Sequence, residues 1–228
     1  MKSHLLALAL FLAGPAWAED PATMTLTGRG EVAATPDMAT LSLGVVTQGQ
    51  SAAAALGQNS GQLTRVFEAL AAAGVAAEDM QTTRFSIDPL WSGRGHDSGD
   101  PAEIAGYAVT NSLSIAVRDL DRLGAVLDAV TGAGANEFGG LRFGLAEPGP
   151  VEEEARRAAV ADAQARAALY ADAAGVEILG IRSIAEGGGG GAPAPRSERM
   201  AVAAMPVPVA EGQVNVSAQV SITYEIGQ

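Results

Sequence analysis

His96, followed closely by Asp97, Asp100 and Glu103, is the one point in the chain where a histidine lies among carboxylates. A weak cation site or a proton-transfer role would need these side chains to converge. The stretch 92–103 is rich in Gly, Asp and Ser and reads as a hairpin loop, and its acids lack calcium-loop spacing. The other histidine, His4, stands near the N-terminus, and there is no cysteine. Thiol nucleophiles, zinc fingers and multi-histidine metal sites are therefore excluded, and a Ser-His-Asp arrangement would have to run through His96.

Gly28-Arg29-Gly30-Glu31-Val32-Ala33 matches the G-x-G-x-x-A fingerprint of dinucleotide binding. That fingerprint must open a helix whose N-terminus holds the pyrophosphate. Here Thr35-Pro36-Asp37 follows and a strand resumes by Thr40, so the motif reads as a glycine-softened strand. The five glycines 187–191 have no Lys-Ser/Thr behind them and read as a linker, not a phosphate cradle. Carboxylates abound, but no pair is forced together for acid/base work. Glu152-Glu153-Glu154 suits the first turn of a helix, and Asp37 suits a turn with Pro36. Asn215-Val216-Ser217 has the pattern of a glycosylation sequon, yet it falls in the middle of an alternating strand and is read as chance. The sequence thus assigns no catalytic, cofactor-binding or metal-ligating residue, and no cofactor.

The elements that would position any site follow from periodicity. Alternation marks strands at 107–117 and 214–226, with shorter runs at Leu41-Leu43-Val45, Phe85-Ile87 and Leu141-Phe143-Leu145, and further strands at 24–34 and 176–185. Three helices interleave with them. Ser51 caps the first, whose Leu56, Leu63, Val66, Phe67 and Leu70 form a stripe ending at Gly74. Asp119 caps the second, with Leu120, Leu123, Leu127 and Val130 at helical spacing. The third opens at Pro150 and runs to about Gly175, with an alanine inner face and i,i+4 pairs Glu152/Arg156, Glu153/Arg157 and Asp162/Arg166. Half-polar strands imply antiparallel sheets with one face covered, so the fold class is α+β, with the three amphipathic helices packed on one side. Leu113, Ile115, Val220 and Ile222 are expected in the core.

The N-terminus carries an address. A basic start at Lys2, an apolar run at 5–13 and Ala16-Trp17-Ala18 have the build of a secretory signal peptide. Cleavage is expected after Ala18, leaving one domain over 19–228 that can divide into two lobes. Loss of 1–18 removes Lys2, the single lysine, so thirteen arginines face 26 acidic residues and the formal charge is −13. Nucleic acid and anionic bilayers would repel such a chain. No stretch reaches the ~18 unbroken apolar residues of a transmembrane helix. The alanine-, glycine- and arginine-rich composition fits a GC-rich bacterial genome and hence the periplasm.

Several motifs taken together resemble one family. They are Gly28-x-Gly30 with Thr35-Pro36-Asp37, Gly106-Tyr107 with Asn111, Arg118-Asp119-Leu120-Asp121, Gly134-Ala135-Asn136 with Phe143 seven residues on, and Glu154-Ala155-Arg156 through Ala163, Ala165, Arg166 and Ala167 to Ala173-Ala174-Gly175-Val176. Over about residues 24–228 the chain is similar to the SIMPL-domain family of bacterial exported proteins. The resemblance implies an α+β fold, a periplasmic or envelope location and a link to oxidative-stress tolerance, and it supplies no catalytic residue. Gly134 suits a helix C-terminal turn, and Asn136 tolerates left-handed backbone or satisfies turn amides. Asn111, if buried, needs internal hydrogen bonds.

The expected function is a non-enzymatic periplasmic structural or interaction protein, a homo-oligomer in peripheral association with the outer membrane or envelope proteins. The rival is a periplasmic small-ligand binder or carboxylate-based hydrolase. The irregular stretch 187–210 ends in an apolar, proline-punctuated half around Met200, Val202, Met205, Val207 and Val209. It is expected to dock as an extended arm on a neighbouring subunit or on its own sheet.

Overall fold

A computed structural model describes residues 21–92, 103–187, 194–196 (main chain only) and 209–227. In chain order the elements are β1 (Thr23–Ala34), β2 (Met38–Gly49), α1 (Ala52–Ala72), β3 (Met80–Ser92), β4 (Glu103–Val117), α2 (Leu123–Ala133), β5 (Glu137–Gly144), α3 (Gly149–Ala174), β6 (Glu177–Glu186), β7 (Ala194–Arg196) and β8 (Gln213–Gly227). This is the expected order with one short strand, β7, added.

The strands form two antiparallel sheets, β3-β4-β2-β5 and β1-β8-β6, with β7 also beside β8. In the first sheet Ala39, Leu41, Leu43 and Val45 of β2 and Leu113, Ile115 and Val117 of β4 share one face and pack under Leu63, Val66 and Leu70 of α1 and Val126 and Val130 of α2. Its other face carries Thr40, Ser42, Ser112 and Ser114, the polar half of the alternation. In the second sheet Val220, Ile222 and Tyr224 of β8 pack under Ala159, Ala163 and Ala167 of α3, and Val214 and Val216 under Ala155. The fold is α+β, as the alternation predicts. The helices divide between the sheets, α1 and α2 on one and α3 on the other. Leu113, Ile115, Val220 and Ile222 are all buried.

Local signals decide most boundaries. Ser51 Oγ accepts from the Ala54 N–H at 3.2 Å and starts α1. Gly134 and Gly175 end α2 and α3 in the left-handed region, at φ of 110° and 67°. Asp119 departs from expectation. A 3₁₀ turn, Leu120–Arg122, precedes α2, and the Asp119 side chain makes no capping bond. The backbone has already tightened one turn before the α-helix begins, so its first N–H groups present no orphan row for a carboxylate to cap.

The expected signal peptide and cleavage point, His96, Asp97 and Asp100, and glycines 188–191 lie outside the described residues. Glu103 opens β4 opposite Ser92, which makes β3 and β4 the two arms of a hairpin. Of the expected arm, Gly187 N–H reaches Gln219 O at 2.9 Å, residues 194–196 pair with β8, and Val209 packs on the core of the first sheet.

Candidate functional site

The Gly-x-Gly motif sits where β1 crosses beneath α3. A Cβ on Gly28 would lie 2.6 Å from the Ala163 nitrogen and overlap Ala159 O, while one on Gly30 would lie 2.6 Å from the Ala159 nitrogen and overlap Ala155 O. Ala155, Ala159, Ala163 and Ala167 are buried in that contact. The glycines and the alanine stripe are two halves of one close approach, which leaves no room for a pyrophosphate. Asp162 closes it with a hydrogen bond: the Arg29 N–H donates to Asp162 Oδ2 at 2.9 Å, and Arg166 donates to Oδ1 at 3.1 Å.

That bond from Arg29, and then the bond and charge of Arg166, hold the Asp162 carboxyl below its ordinary range. A depressed carboxyl contributes stability above the pKa of the unfolded chain, and that stability is lost as pH falls through the lower folded value. Asp162→Asn should therefore flatten the acid limb of stability. Urea midpoints at neutral pH and below pH 4 are expected to differ less in the variant than in the parent; an unchanged difference would count against this role.

The Gly134-Ala135-Asn136 motif fastens α2 to the first sheet. Gly134 turns the chain, buried Ala135 returns its N–H to Val130 O at 3.0 Å, and Asn136 N–H donates to Gly44 O at 3.0 Å. The Asn136 side chain then imitates a strand. Its Oδ1 accepts from Val46 N–H at 2.7 Å and its Nδ2 donates to Val46 O at 2.8 Å. It serves β2, not the turn amides that sequence reasoning assigned to it, and its backbone is not left-handed. Asn136→Ala leaves both Val46 groups to water and should cost about 1–2 kcal/mol in urea unfolding.

Beneath α1 a second amide was missed by periodicity, because asparagine on an apolar helix face resembles an error in the pattern. Asn59 is buried, and its Nδ2 donates to Val45 O at 2.8 Å and Val109 O at 3.2 Å. Thr47 Oγ1 donates to Ala55 O at 2.8 Å beside it. Asn111, half-buried on the same face, leaves Oδ1 without a hydrogen bond in the structure, so the internal partner expected for it is not found.

Arg118-Asp119-Leu120-Asp121 leads to the best-formed cleft. Arg118 grips Asp79 with Nε at 3.1 and 3.0 Å from Oδ1 and Oδ2 and Nη2 at 2.7 Å from Oδ1. That hydrogen bonding and the Asp79 charge raise the Arg118 pKa. Ala73 to Ala76, Glu78, Asp119 and Arg122 complete a cleft of about 310 Å³ at the end of the sheet. The Arg122 guanidinium lies over Gly74, where φ is 87° and any side chain would collide with it. Among the described residues Arg122 makes no ion pair, so it is the cation of this cleft left for a small anion. The cleft holds charge but no nucleophile with a base.

The other sequence candidates are structural. Glu152 and Glu153 pair with Arg156 and Arg157 along α3. Asp37 Oδ1 accepts from Ala146 N–H at 2.7 Å, tying the β1–β2 turn to the end of β5. Asn215 is flanked by Ala33 of β1 and Ala194 of β7, in the middle of a sheet. Glu137 lies over Gly44 and accepts from Ser112 Oγ at 3.0 Å, a carboxylate with no second acid beside it. No group of three His, Asp or Glu able to hold a metal occurs among the described residues.

Among the described residues no helix is long and apolar enough to cross a membrane. The 26 kDa periplasmic immunogenic protein of Brucella melitensis is 37% identical over 180 residues, covering 75% of this chain and 72% of that protein. The uncharacterized protein YggE of Edwardsiella ictaluri is 27% identical over 166 residues, 73% of this chain and 68% of its own length. YggE of Escherichia coli K12 is 29% identical over 137 residues, with 60% and 54% covered. The profile of the SIMPL family, described as a protein of unknown function (DUF541), matches residues 24–224, which include the strand–helix contact at Gly28, the Asn136 clasp and the Arg118 cleft. The chain belongs to the SIMPL family.

Proposed function

We propose that this protein is an exported periplasmic structural or interaction protein that works by self-association, catalyses no reaction and serves cell-envelope or oxidative-stress physiology. One observation carries the reading: the exposed large apolar side chains gather on outer strands. Phe85, Ile87 and Trp91 lie on β3 and Leu179, Ile181 and Ile184 on β6, each strand paired on one side only among the described residues. Single exposed apolar residues are ordinary, but rows of them along open sheet edges invite another chain. The name of the Brucella relative and the signal-like N-terminus support the location.

Light scattering on protein recovered from the periplasm tests the reading, with N-terminal sequencing of the same sample. A mass of two chains or more and a start at Glu19 are expected. A single-chain mass across the concentration range would overturn self-association, and a start at Met1 would overturn cleavage. The stress role predicts peroxide sensitivity in a deletion strain. A second reading, a small-ligand binder, is favoured by the unpaired Arg122 in its cleft. It predicts stabilisation that grows with the concentration of a small anion, read by thermal shift, and its loss in Arg122→Ala.

A further inference from the structure

We infer that β3 is the surface through which two copies join, edge to edge about a two-fold axis at Ser86, so that two four-stranded sheets become one sheet of eight. The inference rests on the self-association proposed above and names the strand responsible.

β3 is 13 residues long and exposed along almost its whole length. Against β4 its register runs unbroken from Arg84 to Leu90, between irregularities at Thr82/Arg84 and Leu90/Trp91. Pro89 has no N–H for a ladder, so its nitrogen side belongs to the free edge. Alternation then directs the main-chain N–H and C=O of Phe85 and Ile87 to the same edge, unpaired and in line for another strand.

The side chains match a second copy of themselves. Phe85 and Ile87 lie opposite Asn111 and Val109, on the face that carries α1. They are nevertheless 54% and 37% exposed, because α1 lies over β2 and β4 and stops short of β3. Arg84, Ser86 and Asp88 take the other face, and neither Arg84 nor Asp88 has an ion pair among the described residues. An antiparallel pairing centred on Ser86 sets Phe85 against Ile87 of the second copy, and Ile87 against Phe85, in one apolar row. The same register sets Arg84 against Asp88 of the second copy and Asp88 against Arg84 on the opposite face. Pro89 falls opposite Thr83, near the end of the pairing, where its missing donor costs one bond. The other open apolar edge, β6, is a poorer match. Its register shifts at Ile178/Gly180 and Ile181/Ser183, and Glu186 is already bonded to Arg156 at 2.8 Å.

A chain without cysteine makes the test direct. The two-fold axis places residue 86 opposite its own copy in a non-hydrogen-bonded pair, where Cα atoms lie about 4.5 Å apart and a disulfide can form. Ser86→Cys should give a covalent dimer on mild oxidation, and Ile184→Cys on β6 should stay a single chain on a non-reducing gel. Arg84→Asp, which sets acid against acid, should lower the light-scattering mass at least twofold with circular dichroism unchanged. Arg84→Asp with Asp88→Arg should restore it. If the parent assembles but links through Ile184→Cys and not Ser86→Cys, or if Arg84→Asp leaves the mass intact, β3 is the wrong surface and self-association stands. A parent that scatters as a single chain removes the self-association on which the inference rests.

Discussion

Gly28→Val should lower the melting temperature by roughly 6–12 °C. Its side chain must displace either β1 or α3, because the nearest atoms are the backbone of Ala159 and Ala163, which no rotamer change can move. Overpacking a filled contact costs about 3 kcal/mol, and each kcal/mol is worth roughly 2–4 °C in a chain of this size. Gly30→Val meets Ala155 and Ala159 in the same way and should behave alike. Gly57, inside α1 with nothing within 4 Å of a Cβ, is the control. Gly57→Ala should melt with the parent or slightly above it, since alanine is the better helix former by about 1 kcal/mol. Thermal unfolding followed by circular dichroism reads all three. If Gly28→Val melts with the parent, the close approach of α3 to β1 is not what the structure describes.

The second large effect is the emptying of either core. Leu113 and Ile222 are fully buried, one beneath α1 and α2 and the other beneath α3. Truncating either to Ala should cost about 2–5 kcal/mol, through lost burial and the cavity left behind. The two residues share no neighbours, so the double variant should show the sum of the single effects to within about 0.5 kcal/mol. Urea titrations of the three variants measure this. A marked departure from the sum would mean that the cores communicate.

Strands with one covered face declared themselves in the sequence, and strands without one did not. β4 and β8 alternate cleanly because α1 and α3 sit on one side of each, and the order of elements followed from such runs. β3 betrayed itself only at Phe85 and Ile87, since neither of its faces is well covered and burial imposes no period on it. β5 begins at Glu137, earlier than the Leu141-Phe143-Leu145 alternation suggests, because Gly139 and Gly140 interrupt the pattern and the register shifts opposite them. The Gly-x-Gly motif was legible as a strand, but its purpose depended on the alanine stripe more than a hundred residues on. Arg118 and Arg122 stood in a recognisable motif, yet their cleft forms only when the turn after α1 is brought beside the end of β4. Periodicity reports burial within one element and is silent about which elements meet.

β8 runs down the middle of its sheet, with β1 along one side and β6 and β7 along the other. The first sheet uses a continuous stretch of chain, from Met38 to Gly144, and can close as soon as that stretch has left the ribosome or crossed a translocation channel. The second cannot. β1, the earliest strand, has no partner until Gln213–Gly227 arrives, and α3 has no finished surface to lie on before then. Folding is therefore ordered in time, with a quick local half and a late half that waits for the far end of the chain, as long-range pairing requires. A product cut short before β8 would keep the first half and expose β1, β6 and the alanine face of α3 together, which makes the late strand a checkpoint on complete synthesis.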